Sequence, residues 1–358
     1  MRRAARAVAL AGLLLACGRD VPEGLLEQFR SGLAERAAAA ARRDSIVVGG
    51  LDDWLFLGPE LRHVAAGRFW GNEAQRPAAG GDPARAAPLP AILDFKRQLD
   101  ARGVDLLLVP VPPKSIIYPE KAAAGVEVPI PVPRLDASHE AFYGLLREQG
   151  VDVLDLTDHF LANRFHPEGT PYCRQDSHWS GVGCVLAGEA IAAAVRDRSW
   201  YSELATTAFT PRWYSAHITG DLYSALDSPD VPREEVRLRG VAAAGTRPAA
   251  AAVPDPESPI VLLGDSHNLV FQAGADMHAT GAGLADQLAF ELGLAVDLIA
   301  VPGSGATAAR VELRRRAEQD AAFWARKRLV VWCFAAREFT EGDGWALVPV
   351  APGAAPGR

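Results

Sequence analysis

The chain has 358 residues, 49% of them hydrophobic and 23% charged, with a formal net charge of -7. A sequence of this kind can bury a sizeable core, as one large domain with insertions or as two modest ones, which excludes an intrinsically disordered chain. The acidic balance, without a long basic cluster after the first residues, argues against nucleic acid as a partner and leaves a polysaccharide or a small acyl donor open.

Met1-Arg2-Arg3 and the apolar residues 8–15 make a charged start followed by a hydrophobic segment too short to span a bilayer. That pattern is an export signal. Leu14-Leu15-Ala16-Cys17 resembles the bacterial lipobox, in which the cysteine becomes the lipidated first residue of the mature chain. Residues 1–17 are thus expected as a lipoprotein signal peptide, and an ordinary signal peptide with an incidental cysteine is the other reading. Because Gly18 and not an aspartate follows Cys17, the resemblance implies retention at the outer membrane rather than the inner one. Export puts Cys173, Cys184 and Cys333 where disulfides persist. Cys173 and Cys184 flank a short segment and form a candidate bridge, while Cys184 and Cys333, in apolar runs, also suit buried thiols.

Between residues 22 and 43, Leu25, Phe29 and Leu33 recur at helical spacing among charges and alanines, so 18–44 is expected as a helical linker from anchor to domain. Residues 45–58 alternate turn residues with short apolar runs, a β-hairpin pattern, and 76–90 reads as a loop. Ile92, Phe95 and Leu99 share one face of a helix ended by Gly103, followed by an apolar strand over 104–109. Asp136 can cap a helix carrying Phe142, Leu145 and Leu146, before a second strand over 151–156. Ser180 is a candidate N-cap for a helix to about residue 196 whose only interior charge is Glu189, which marks it as buried. Residues 200–259 are less regular and read as an insertion crossing the surface. The rhythm then resumes with a strand from Ile260, a helix over 284–292, a strand over 294–301, a helix over 306–327 and a strand over 329–334. Helix and strand in alternation specify an α/β fold, a parallel sheet with helices on its faces. The domain is expected over 45–345, with 346–358 as a disordered Pro-, Gly- and Ala-rich tail.

Chemistry concentrates where the apolar run from Ile260 stops at Gly264-Asp265-Ser266. A strand turning sharply into a helix holds a hydroxyl at the strand's carboxyl end, where a nucleophile belongs. A serine needs a base within hydrogen-bond reach and an acid to orient that base. In Asp176-Ser177-His178-Trp179 the acid and the histidine are two apart, and in an extended segment both side chains point the same way. Asp176 can then hold Nδ1 of His178 while Nε2 faces Ser266. The alternatives are helix caps at Asp176 and Asp265, a surface histidine and a core tryptophan. The N–H of Ser266, and that of Gly303 or Ser304 in Pro302-Gly303-Ser304-Gly305, are candidate oxyanion donors, the latter against the alternative of a plain turn. His267 either contacts substrate or is simply exposed. A metal reading of His159, His166, Asp176 and His178 fits no familiar zinc spacing, so no metal is expected.

Seven motifs occur in the order seen in the AlgJ/AlgX-like family, SGNH-hydrolase-like proteins of bacterial exopolysaccharide O-acetylation. They are Asp53-Trp54-Leu55-Phe56-Leu57-Gly58, Pro110-Val111-Pro112-Pro113-Lys114 with Tyr118-Pro119-Glu120, Asp176-Ser177-His178-Trp179, Gly220-Asp221-Leu222, Gly264-Asp265-Ser266, Pro302-Gly303-Ser304-Gly305, and Val331-Trp332-Cys333-Phe334 with Arg337-Glu338. The chain resembles that family over residues 45–340. The resemblance implies an SGNH-hydrolase-like, flavodoxin-like three-layer sandwich with loop and β-hairpin insertions. It implies Ser266 as nucleophile, His178 as base and Asp176 as its orienter, with Gly303, Ser304, Lys114, Tyr118 and Arg337 in oxyanion or substrate binding. It also implies a periplasmic, lipid-anchored O-acetyltransferase acting on a polysaccharide such as alginate. Acetyl would come from a membrane-bound O-acyltransferase partner and pass through an acyl-serine, with no cofactor. Gly264-Asp265-Ser266 stands where many relatives carry Gly-Thr-Ser, and Cys333 where an acidic residue is frequent. A carbohydrate acetyl esterase with the same triad and a non-catalytic polysaccharide-binding or assembly protein are the alternatives.

Overall fold

In the computed structural model residues 21–22, 24–72, 87–123, 125–226, 233–245 and 252–350 are described, and the expected export signal with Cys17 lies outside them. Val47–Gly49 (β1) and Leu55–Leu57 (β2) form a hairpin, Asp105–Val111 (β3) and Asp152–Val153 (β4) pair in parallel, and Phe209–Ile218 (β5) and Glu234–Ala243 (β6) form a long antiparallel ribbon. With Ile260–Gly264 (β7), Asp297–Ala300 (β8) and Leu329–Ala335 (β9), β3 and β4 build a five-stranded parallel sheet in the order β4-β3-β9-β7-β8.

Both faces of this sheet are covered, which is why its strands are apolar without interruption. Leu106, Leu108, Val261, Leu263, Val330, Trp332 and Phe334 pack with the helices Pro88–Asp100, Ala137–Glu148 and Thr307–Gln319. The residues between them, Leu107, Val109, Leu262, Val331 and Cys333, pack with Leu25–Ala41, Gly181–Arg196 and Leu284–Leu292. The period-two alternation of each strand therefore produces two cores, and each side chain so buried contributes about 1.5–3 kcal/mol over its exposed state. This is the three-layer α/β sandwich expected from the pattern.

Ser180 accepts hydrogen bonds from the N–H groups of Val182 and Gly183, capping the helix Gly181–Arg196. A Cβ at Gly181 would overlap the Arg237 carbonyl of β6, and one at Gly188 would press on Gln287. These glycines let the β5–β6 ribbon and the helix Leu284–Leu292 close onto the buried helix.

Three segments differ from expectation. The helix Leu25–Ala41 is no spacer: Leu25, Phe29, Leu33, Ala37 and Ala40 form a stripe buried in the main core, and Arg30 donates to the Ala65 carbonyl at 3.1 Å. The strand expected over 151–156 pairs only at β4. Asp155 there accepts the Thr157 N–H and binds Arg134, which turns the chain into the helix Thr157–Ala162. Arg134 also holds Asp136, which consequently caps no helix with its side chain. Residues 346–350, expected in a disordered tail, are packed: Val348 and Val350 are buried, and the Val350 N–H donates to Gln98 Oε1 at 2.8 Å.

Candidate active site

The carboxyl ends of β3, β9 and β7 lie side by side along one edge of the sheet, the edge at which open α/β sheets bind ligands. At the end of β7, Gly264 lies so close to the Cys333 carbonyl and the Asn268 amide that a Cβ would overlap both. Asp265 follows, fully buried, and accepts from the N–H groups of His267 and Ala335 at 2.9 and 2.7 Å. Its carboxylate thereby locks the turn to the end of β9. The helix expected after the serine is a single 3₁₀ turn, Ser266–Asn268. So short a turn carries little of a helix dipole, and the Ser266 N–H, first in the turn and without an intrahelical partner, acts as a local donor.

Ser266 Oγ is 2.7 Å from Nε2 of His178, and Nδ1 of His178 is 2.7 Å from Oδ1 of Asp176. With Asp176 ionised, Nδ1 carries the proton and Nε2 accepts from the serine hydroxyl. The segment of His178 is held from several sides. Tyr172 bridges to Trp179, Asp176 Oδ1 also accepts the His178 N–H at 2.9 Å, and Ser177 donates its N–H and hydroxyl to Asp221 at 2.7 and 2.5 Å. Trp179 Nε1–H donates to the His267 carbonyl at 3.0 Å, which ties this segment to the turn that carries Ser266.

Burial disfavours a charged imidazole at His178, yet the charge and hydrogen bond of Asp176, aided by Asp221, outweigh it and lift the pKa above that of an ordinary histidine. Burial would raise the pKa of Asp176, but the partners His178 and His278 hold it well below the usual carboxylate range. Burial lowers His267, whose Nδ1 lies 3.2 Å from Asp265.

Two groups at the site have no role in the sequence reading. The Asp221 N–H and His278 Nε2 each lie 2.9 Å from Oδ2 of Asp176. Asp221 belongs to a recognised motif whose chemistry is not legible. His278 belongs to none, and only the folding of the chain after Ser266 brings it in.

Of the residues expected in oxyanion or substrate binding, Lys114 and Tyr118 are buried behind the site. Lys114 Nζ donates to the carbonyls of Leu55, Arg174 and Asp176 at 2.7, 3.0 and 3.0 Å, so its three protons are spent on three carbonyls of two backbone segments. The Tyr118 hydroxyl donates to the Arg164 carbonyl at 3.0 Å. The Ser304 N–H donates to the Val301 carbonyl at 3.3 Å, which leaves Gly303, exposed at φ 76°, as the open donor of that loop. Gly305 packs against Asp265 and Phe334, which sets the loop beside the turn that carries Ser266. Arg337 is half-buried, its charge bears on His178, Asp265 and His267, and its Nη1 is buried without a hydrogen-bond partner.

The bridge expected between Cys173 and Cys184 is not formed: both, like Cys333, are buried free thiols. The Cys173 thiol points to the Trp179 carbonyl at 3.6 Å, so its loop is closed by hydrogen bonding. Among the described residues Asp176, His178 and Asp221 have ligand-type atoms within 4.8 Å of one another, and His159 and His166 take no part. His178 Nδ1 and both Asp221 oxygens in that group are already engaged by Asp176 and Ser177. No helix of the described residues is long and apolar enough to cross a membrane.

Residues 47–336 match the family described as the SGNH hydrolase-like domain of acetyltransferase AlgX. A protein of Pseudomonas putida named "Probable alginate O-acetylase AlgJ" is 26% identical over 232 residues, 62% of this chain and 54% of that one. The protein of the same name from Pseudomonas aeruginosa is 26% identical over 151 residues, 42% of this chain and 33% of that one. The chain thus spans about a third to a half of the length of these curated relatives. Among solved structures, the O-acetyltransferase domain of Pseudomonas putida AlgJ superposes with a TM-score of 0.60 at 22% identity, covering 82% of this chain and 92% of that one. Pseudomonas aeruginosa AlgX superposes with a TM-score of 0.59 at 16% identity, covering 87% of this chain and 71% of that one. These likenesses show the fold. By the match over residues 47–336, most of its length, the chain belongs to the AlgX-type family of SGNH hydrolase-like acetyltransferase domains.

Proposed function

We propose that the chain is an extracytoplasmic O-acetyltransferase that moves acetyl groups onto hydroxyls of a bacterial exopolysaccharide of the alginate kind. Family membership supports the reaction class, and one observation carries the mechanism: Ser266 Oγ lies 2.7 Å from Nε2 of a histidine whose Nδ1 is held by a buried carboxylate. His178 takes the serine proton as Oγ attacks the acetyl carbonyl. The N–H groups of Ser266 and Gly303 stabilise the oxyanion, an effect of about 3–4 kcal/mol per well-placed donor. Collapse expels the donor's leaving group, which takes the proton from His178, and leaves an acetyl ester on Ser266. A sugar hydroxyl then gives its proton to His178 and attacks that ester, and the proton returns to Ser266 as the acetylated sugar leaves.

In this reading a membrane-bound O-acyltransferase supplies the acetyl group, and a lipidated Cys17 holds the chain in the periplasm at the outer membrane. Water in place of the sugar hydroxyl makes the same residues an acetyl esterase. The full chain is tested with an activated acetyl ester, from which it releases product while Ser266→Ala does not; equal rates in the two sink the serine mechanism. Added oligosaccharide acceptor gains 42 Da per acetyl by mass spectrometry, on the order of one acetyl per turnover. Acetate alone identifies an esterase, and retention of polysaccharide without turnover identifies a binding protein.

A further inference from the structure

We infer that His278 is the positioning residue for Asp176 and sets the basicity of His178 through the second oxygen of that carboxylate. The inference rests on the reading of Ser266 as nucleophile and His178 as its base. Asp176 has a fully buried carboxylate with four donors. Oδ1 accepts the N–H of His178 at 2.9 Å and its Nδ1–H at 2.7 Å, and Oδ2 accepts the N–H of Asp221 and Nε2 of His278, both at 2.9 Å. Two imidazoles therefore share one carboxylate. The terminal torsion of an aspartate is broad and roughly two-fold, so donors on Oδ2 decide which way the group faces. Of these two donors the Asp221 N–H is backbone, and His278 is the side chain that a substitution can remove.

The loop that delivers His278 is built for that placement. It begins just after the turn that carries Ser266, and three of its non-glycine residues, Phe271, Ala275 and His278, have left-handed backbone at φ 60°, 47° and 70°. Such conformations persist where the surroundings over-determine them. Here the Phe271 N–H donates to the Met277 carbonyl at 2.8 Å, the Gly274 N–H to Ala279 at 2.9 Å, and Ala273 bridges to Thr280. The Phe271 ring lies 5.9 Å from that of His278. The nucleophile's own chain thus returns to grip the acid of the triad.

A carboxylate that loses a donor becomes a stronger acceptor at its remaining bonds. Without His278, Asp176 draws the Nδ1 proton of His178 more strongly, the imidazolium is favoured and the His178 pKa rises. The other charged or titratable groups bearing on the pair are Asp221, His267 and Arg337 around His178, and Lys114 and Cys173 around Asp176. None of these is altered by the substitutions below.

The test uses the full chain with His278→Ala, His278→Asn, whose amide is too short to reach Oδ2, and His278→Gln, whose amide reaches it. Histidine NMR titration follows His178 without turnover. Its midpoint rises by about 0.5–1 pH unit in His278→Ala and His278→Asn and returns to within about 0.2 unit of the parent in His278→Gln. The acid limb of kcat/KM on the acetyl ester moves up by the same amount, and activity below that limb falls about 3–10-fold in the first two variants. A His178 midpoint that stays put or falls in His278→Asn, or moves equally in His278→Gln, overturns the inference. Ser266→Ala with undiminished turnover overturns the proposed function separately, because the His178 titration needs no chemistry.

Discussion

Ser266 and His178 meet at 2.7 Å across a sequence separation of 88 residues, one at the end of β7 and the other on the loop before the helix Gly181–Arg196. Trp179 Nε1, bonded to the His267 carbonyl, fixes the approach. If this contact is the centre of the chemistry, Ser266→Ala and His178→Ala each lower kcat on an acetyl ester by about 10³–10⁶, and Asp176→Asn by about 10²–10⁴. Thermal midpoints measured alongside separate this from unfolding. A Ser266→Ala loss below tenfold would falsify the assignment, on the order of magnitude expected for a group acting only through binding.

The raised pKa of His178 has a direction that kinetics can read. A general base acts only when unprotonated, so the acid limb of kcat/KM has its midpoint above about 6.5, the value of an unperturbed histidine. Asp221 contributes to the rise, so Asp221→Asn moves the limb to lower pH. A limb at or below the unperturbed value would contradict the dominance of Asp176 over burial.

The motif that carries Lys114 implies a substrate contact, and its geometry makes the opposite prediction. Lys114→Met leaves the carbonyls of Leu55, Arg174 and Asp176 without their shared donor. Loss of stability by about 3–5 kcal/mol in denaturant titration is expected. Lys114→Arg does not restore it, since a planar fork cannot direct protons to three converging oxygens. The folded fraction of either variant keeps its KM. A stable Lys114→Met with a raised KM would return the residue to substrate binding.

Glu338 sits buried after β9 and burial pushes its carboxyl up to about 8, with Asp265 adding to the shift. An unfolded glutamate titrates near about 4.3. The contribution of this group to stability is therefore fully present below that value and is lost as pH rises toward 8, because unfolding then releases a proton. Glu338→Gln stays neutral throughout. It should leave the thermal midpoint nearly unchanged near pH 4 and stabilise on the order of 5 kcal/mol near pH 9. Equal effects at both pH values would show the carboxyl to be ionised in the folded chain.

The layers are legible because strand and helix periods are local. Val261 and Leu263 against Ile260 and Leu262 already state that β7 is covered on both faces. Ser180 reads as a cap for a similarly local reason, its hydroxyl needing only the next turn of its own helix. The docking of Leu25–Ala41 is not legible, since an apolar stripe does not say which surface it meets. Nor does the spacing of Cys173 and Cys184 report where their sulfur atoms point, and the structure keeps both as thiols.

By itself the sequence determines an α/β sheet and a sharp turn at Gly264-Asp265-Ser266, because each depends on residues close together in the chain; Asp176-Ser177-His178, expected to be extended, is instead a bend closed by the His178 N–H on Asp176 Oδ1. The tertiary structure alone decides that Lys114 faces three carbonyls and that His278 reaches Asp176. Those outcomes depend on angstrom-scale distances between segments joined only by packing, and a hydrogen bond vanishes over shifts that leave every periodicity unchanged.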